Sequence, residues 1–399
     1  MKMRFRQPQA DKLLMVLAYL LLNAVGFVLL PVEYLPTQIL YVVILSVAIM
    51  LIWASEQIER KNLAWCMLWC GIFVLGSVMA FRAQIGIDDH VYRRLFLRAG
   101  TMELPEFLNN SEIEIGYLLL NWFAYPLVGG NYDCLQALLV FSCFVLFALG
   151  MNKLRSYCSV SIQSLILWTH FYFLIMGGGL VRIFIAMAVI YFALHYIWES
   201  NWKAYVLCVL VASLFHISAL MMLIFVVVSI NEKWCYKYWF VLVAAVLVIM
   251  PLVFLFIGNV LAPVLGERYS RYTEIGEFRF SIKSLDTLPV WLVGLYYCYR
   301  YAKGEEKKIY IVGLVLISLS MIFSIYSTMV SLGRLTFYGN MGIMIISAAV
   351  CSRKPQNKLE YLVPAALIAY EVFYMLYTGA FNPGRTEYIF PYASFIGVN

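Results

Sequence analysis

The sequence predicts an all-α polytopic membrane protein, and three observations carry that prediction. Mean hydropathy is +0.83, apolar runs of span length recur along all 399 residues, and only 13% of residues are charged. In a bilayer, helices and closed barrels are the structures that satisfy their own backbones. The short alternating segments of an outer-membrane barrel are missing, whereas unbroken apolar runs of roughly 17–25 residues are frequent.

The first run, Leu13–Leu30, is followed by no small-residue cleavage site, so it is expected to be a retained span. Lys2, Arg4, Arg6 and Lys12 precede it and predict a cytoplasmic N-terminus. Spans follow at about 36–54 and 62–81, linked by PVEYLP outside and by SEQIERKN inside, where Arg60 leads into Lys61. By alternation the stretch Phe81–Phe96 emerges on the outer side. From Arg93 to Asn110 the chain is amphipathic and interrupted by proline, which predicts an interfacial helix and loop.

Further apolar runs lie at about 113–128, 132–150, 161–178, 182–198 and 204–230. Lys153, Arg155 and Lys203 belong in the cytoplasm, which sends Arg182 outward provided that 113–128 and 204–230 are irregular. Both carry the marks of broken segments: Glu114, Asn121 and Pro126 in the first, His216 in the second. Runs at about 238–257, 289–300, 309–328, 335–350 and 359–378 complete about 12–13 spans in one integral membrane domain, 1–399. The basic links RYAKGEEKK and SRKPQNK fit the cytoplasm; outer loops are expected at about 82–112 and 258–288, with the tail FNPGRTEYIFPY also outside.

The net charge of +7 lies mainly beside the spans, as solvated juxtamembrane charge, and resembles no nucleic-acid-binding face. The nine cysteines are scattered, mostly inside apolar runs, where packing is the expected role. No zinc spacing, P-loop, GxSxG or dinucleotide fingerprint occurs, so neither ATP nor NAD is expected as a cofactor.

Chemistry is concentrated in Phe81–Phe96, FRAQIGIDDHVYRRLF, which packs Arg82, Asp88, Asp89, His90, Arg93 and Arg94 against the end of a span. A charge at the bilayer centre costs ~2.5–3.5 kcal/mol even on lenient insertion scales, so this cluster belongs in water or in a wet cavity. Arg182, in GGGLVRIFIAMAV, is either an arginine snorkelling to headgroups or a phosphate-binding arginine at a helix start. Arg334, in VSLGRLTFYGN, repeats the Gly-Arg pattern, and Arg271 and Arg279 lie in the outer loop. Together these arginines would form an electropositive cup suited to a diphosphate headgroup.

Asp88, Asp89, Glu112 and Glu114 supply carboxylates. Transfer of a sugar to a hydroxyl needs a base for that hydroxyl, whereas a diphosphate leaving group needs charge neutralisation. Helix capping and pairing with Arg93 and Arg94 are the structural alternative for the same residues. His216, in SLFHISALMM, is either a satisfied core histidine or a proton-transfer or diphosphate-contacting group. Tyr92, Tyr117, Tyr272 and Tyr338 are available to stack on sugars, or belong to the interfacial aromatic belt.

The order of these features resembles a known family. Arg82, Gly86, Asp88 and Tyr92 form an outer R-x3-G-x-D…Y block, Arg182 and Ala186 an R-x3-A helix start, and Phe215–Leu220 an F-H-x-S-A-L block. Gly333-Arg334 precedes aromatics, and Pro391-Tyr392 closes the pattern. The chain is similar, from about residue 70 onward, to the EpsG-like family of Wzy-type polymerases of O-antigen, capsule and exopolysaccharide.

The resemblance implies a GT-C-like glycosyltransferase of the bacterial inner membrane, with its site on the periplasmic face. It implies undecaprenyl-diphosphate-linked oligosaccharide as donor and acceptor, no nucleotide sugar, no metal, and room for a chain-length regulator as partner. Arg82, Tyr92, Arg182, Arg271, Arg279, Arg334 and Tyr338 would bind diphosphate or glycan; Asp88, Asp89, Glu112, Glu114 or His216 would do the proton chemistry. Many relatives carry a polar residue, often Gln, after the arginine matching Arg182; here it is Ile183. A lipid-linked oligosaccharide flippase, an O-antigen ligase-type transferase and a membrane acyltransferase are the alternatives. A flippase is expected to show repeat symmetry between halves, and none is visible.

Overall fold

The computed structural model describes residues 21, 24–25, 32–83, 85–109, 113–172, 179–230, 232–256, 282–327, 334–353, 359–375 and 392–394. Most of the first expected span, most of the 258–288 loop and most of the tail lie outside these residues. The helices are α1 (Leu35–Gln57), α2 (Lys61–Ala80), α3 (Asp89–Ala99), α4 (Leu104–Asn109), α5 (Ile115–Leu127), α6 (Tyr132–Lys153) and α7 (Val160–Ile166). They continue with α8 (Val181–Trp198), α9 (Trp202–Ser213), α10 (Ile224–Ile230), α11 (Glu232–Phe256), α12 (Leu288–Arg300), α13 (Glu305–Tyr326), α14 (Thr336–Cys351) and α15 (Leu359–Met375). The chain is an all-α polytopic membrane protein: α1 with its leading turn, α2, α6, α8 and α13 are each long and apolar enough to cross a bilayer.

The local reasons for these boundaries are readable. Pro36 stands in the first turn of α1, where its missing N–H costs nothing. Asn131 caps α6, its Oδ1 accepting from the amides of Asp133 at 2.9 Å and Cys134 at 3.2 Å. The two irregular segments behave as expected. α5 has 13 residues, which span roughly 20 Å at 1.5 Å per residue, short of a hydrocarbon core of about 30 Å. The 204–230 run breaks at His216, whose extended backbone (φ −153°, ψ 113°) separates α9 from a 3-10 segment, Ile217–Leu223, before α10. α7 likewise passes into a π-helical turn, Leu167–Tyr172.

Contacts divide the chain into two compact units: 1–192 with 348–399, and 193–347. In the first unit α1 and α2 form a hairpin that packs on α6 and α7, while α3 lies against α5. Gly71 of α2 makes the hairpin close. A Cβ there would lie 2.6 Å from the Ile52 side chain and 2.8 Å from the Ala48 carbonyl oxygen, so only a small residue fits. The far face of α1 presents Ile39, Val43 and Val47 one turn apart and exposed, as a lipid-facing stripe requires. At the other end of α1, Glu56 accepts from the Val160 amide at 2.7 Å and from the Ser159 and Ser161 hydroxyls at 2.9 and 2.6 Å. α15 docks on the π-helical turn, where His170 Nδ1 lies 3.2 Å from Glu371 Oε2 and its ring stacks on Tyr374 at 4.1 Å.

In the second unit α13 is the central helix, buried through its middle, with α11 and α12 packed against it. Tyr205 of α9 donates to the Met222 carbonyl oxygen at 2.9 Å and so fixes the turn after His216.

Candidate functional site

The first unit gathers the ionisable residues of the 81–96 stretch around the start of α8. Arg182 is the second residue of that helix, a place where the helix dipole disfavours a cation. Its charge is compensated from another element: Nη1 is ion-paired with Glu114 Oε2, the residue immediately before α5. The Glu114 side chain makes no capping bond to its own helix. Arg182 Nε also donates to the Tyr92 hydroxyl at 3.2 Å, and the guanidinium lies 5.8 Å from the Tyr92 ring centroid. Tyr92 in turn meets the buried Tyr117 edge-on at 5.4 Å. The pair is thus enclosed by aromatic faces, which exclude water and strengthen its electrostatics.

Asp88 reaches the same place by another route. It precedes α3, is partly exposed, and makes no capping bond with its side chain. Gly179, at φ +63°, brings the α8 approach so close that a Cβ there would lie 2.9 Å from the Asp88 amide nitrogen. The backbone leading to Arg182 therefore rests on the backbone of Asp88.

Asp89 points the other way, into the protein. It is buried, with Oδ2 3.8 Å from Arg93 Nε and Oδ1 without a hydrogen-bond partner among the described residues. Burial pushes its carboxyl above the usual range, against the pull of Arg82 and Arg93. Arg93 has a better partner in Asp133, whose Oδ1 accepts from Nη2 at 2.6 Å, and its guanidinium lies 4.9 Å from the Tyr132 ring centroid.

Arg82 is fully buried, and none of its three guanidinium nitrogens has a hydrogen-bond partner among the described residues. Its backbone is firmly held. The carbonyl oxygen accepts from Gln136 Nε2 at 2.9 Å, Ala83 N donates to the Ala393 carbonyl oxygen at 2.9 Å, and Arg82 forms an antiparallel bridge with Ser394. Tyr392 anchors this C-terminal strap: its amide donates to Thr37 Oγ1 at 2.9 Å and its hydroxyl to the Val78 carbonyl oxygen at 2.9 Å.

The second unit carries its own polar group. His216 Nδ1 lies 2.5 Å from Ser218 Oγ, and that hydroxyl donates to the Tyr338 hydroxyl at 3.4 Å. His216 and Tyr338 are buried, while Arg334 is exposed on the turn before α14. Glu112, Arg271, Tyr272 and Arg279 lie outside the described residues.

Of the residues singled out by sequence, the structure brings together Arg82, Asp88, Asp89, Tyr92, Glu114 and Arg182 in one unit. It also adds residues that sequence reasoning missed. Asp133 had a signal, an acidic residue in the first turn of a helix that follows Gly-Gly-Asn. Glu371 had a stronger one, a lone carboxylate inside the apolar run AYEVFY. Gln136 had none.

Residues 65–394 match the EpsG family. Comparisons with curated proteins and with solved structures find no match.

Proposed function

This chain belongs to the EpsG family of bacterial membrane proteins of polysaccharide biosynthesis, and from that premise we propose that it is a Wzy-type polymerase working on the periplasmic face of the inner membrane. The observation that carries the reading is the enclosed Arg182–Glu114–Tyr92 group beside Asp88. A carboxylate and a guanidinium held together at the start of a span, with a second carboxylate partly exposed next to them, match what glycosyl transfer from a lipid diphosphate requires.

The reaction joins two lipid-linked glycans. The hydroxyl at the non-reducing end of a lipid-linked repeat unit attacks the anomeric carbon of the growing chain. The new C–O bond forms as the anomeric C–O bond to diphosphate breaks, and undecaprenyl diphosphate leaves with the electron pair. The hydroxyl proton passes to a carboxylate. Asp88 is the best placed of the candidates, because it is partly exposed and its side chain caps no helix. Glu114 is held by Arg182, and Asp89 is buried. An arginine guanidinium neutralises the charge that develops on the leaving diphosphate. In the second unit, His216 with Ser218 and Tyr338 is the rival candidate for a base or diphosphate contact.

The test uses the purified chain in lipid with undecaprenyl-diphosphate-linked repeat units, chelator, and no nucleotide sugar. A ladder of products that Arg182→Ala abolishes supports the polymerase. A single addition to a different acceptor is the ligase outcome. Movement of labelled lipid across a liposome membrane without a ladder replaces the polymerase by a flippase.

A further inference from the structure

We infer that Arg82, and not Arg182, is the guanidinium that receives a phosphate-class oxyanion, in exchange for the carboxylate of Asp89. The inference rests on the polymerase reading for the identity of the substrate, a lipid-linked diphosphate. The two arginines differ in what already occupies them. Arg182 has an ion pair with Glu114, a hydrogen bond to Tyr92 and an aromatic face beside it. Its charge is compensated and its donor fork is directed at protein. Its role is to hold Glu114 and the start of α8, which makes it a positioning residue.

Arg82 is the reverse case. It has no exposed surface, and its Nε, Nη1 and Nη2 donate to no group among the described residues. Buried donors in folded proteins are almost always satisfied, and a buried guanidinium without an acceptor is strongly unfavourable. The described residues offer this side chain no acceptor, and a ligand oxyanion would supply one. A diphosphate supplies several oxygens in the geometry that a planar guanidinium fork recognises.

The surrounding groups fit an exchange of counter-ions. Asp89 is within electrostatic reach of Arg82, and its Oδ1 has no hydrogen-bond partner among the described residues. Its other link, to Arg93, is long at 3.8 Å, while Arg93 is held by Asp133 at 2.6 Å. Asp89 is therefore a weakly bound counter-charge that an oxyanion can replace. The Arg82 backbone does not move freely, because Gln136 and the Ala393–Ser394 strap fix it on both sides. The guanidinium thus projects from a fixed origin.

The experiment is a binding titration on the full-length chain in detergent. Inorganic diphosphate and a short prenyl diphosphate serve as probes, and thermal stabilisation and calorimetry as readouts. Arg82→Met is expected to weaken binding of both probes at least tenfold, and Asp89→Asn to tighten it several-fold by removing the competing carboxylate. Tighter binding of the prenyl form assigns the phosphate to the lipid-borne donor; equal binding assigns it to phosphate chemistry alone, and either supports the site. The double variant Arg82→Met/Asp89→Asn removes both buried charges, so a folded double variant that binds neither probe separates a lost site from a lost fold. If that variant binds both probes with wild-type affinity, or if Arg182→Met/Glu114→Gln is the variant that loses them, the assignment to Arg82 is wrong. Polymerisation is scored separately. Diphosphate binding through Arg82 without a ladder from the wild type leaves the oxyanion site standing and removes the polymerase. A ladder from Arg82→Met at wild-type KM removes the site and leaves the polymerase.

Discussion

Arg182 and Glu114 are ion-paired between the starts of two helices, and the pair is nearly dry, with 13% and 8% of their side chains exposed. Few arrangements are as unforgiving of a single substitution. Removing one partner strands the other charge away from water, whereas removing both replaces two desolvation penalties by apolar packing.

Glu114→Gln or Arg182→Met alone is expected to destabilise the first unit by about 3 kcal/mol. The double variant Arg182→Met/Glu114→Gln is expected to recover most of that loss. Chemical unfolding in detergent, read as a double-mutant cycle, checks it. Additive losses would show that the two residues do not act as a pair.

Asp89 gives a prediction with a sign. Burial raises its carboxyl above the ordinary value, so the folded chain keeps that proton to a higher pH than the unfolded chain does. Between the ordinary value of about 3.9 and the raised one, the native state binds more protons. Stability from this group therefore falls as pH rises through the window and is unaffected below it. Asp89→Asn is expected to flatten the pH dependence of the unfolding midpoint in the acid range. A wild-type slope that survives this substitution belongs to another group.

The C-terminal strap is held by one residue in particular. Tyr392→Phe keeps the ring, which meets Tyr41 edge-on at 5.9 Å, and removes the hydroxyl that donates to Val78. A loss of about 1 kcal/mol is expected. Thr37→Val removes the acceptor of the Tyr392 amide and is expected to cost a similar amount. Because both variants loosen one strap, their combination should cost less than the sum, as thermal unfolding can measure.

His170 and Glu371 form a second buried ionisable pair, with 0% and 2% of their side chains exposed. A carboxylate in this setting is tolerated because the imidazole faces it. Glu371→Leu alone leaves a polar imidazole against an apolar side chain and is expected to cost about 2 kcal/mol. His170→Phe/Glu371→Leu keeps a ring to stack on Tyr374 and is expected to be close to wild type in the same unfolding assay.

The two kinds of structure were not equally legible in the sequence. The spans are strongly apolar over their whole length, so α1, α2, α6, α8 and α13 stand close to where hydropathy puts them. The breaks at α5 and at His216 were legible too, because polar residues and proline interrupt otherwise continuous runs. Pairings were not. Glu114 and Arg182 are 68 residues apart, and His170 and Glu371 are 201 apart. Which carboxylate meets which cation is decided by how helices dock, and composition does not encode it. From sequence, Arg82 and Arg182 are both candidates for binding diphosphate or glycan; the difference in their burial and bonding is visible only in the structure.

Gly179 and Asp88 meet backbone to backbone, and a matched glycine elsewhere isolates that contact. Gly129 and Gly179 have nearly the same backbone, φ +60° and +63°. Alanine at either position meets the left-handed penalty, about 1–2 kcal/mol. They differ in surroundings: a Cβ at Gly129 meets nothing within 4 Å, whereas one at Gly179 lies 2.9 Å from the Asp88 amide nitrogen. That neighbour is backbone, so no rotamer change relieves the clash. Gly179→Ala is expected to cost at least 1 kcal/mol more than Gly129→Ala, since overpacking a close contact adds about 1–3 kcal/mol. It is also expected to displace Asp88 from the start of α8. If Asp88 takes the acceptor proton, Gly179→Ala lowers kcat of chain extension tenfold or more with a smaller change in KM, and Gly129→Ala leaves both near wild type. Equal stability losses would mean that the α8 approach does not rest on Asp88. An unchanged kcat in a folded Gly179→Ala variant would move the base away from Asp88.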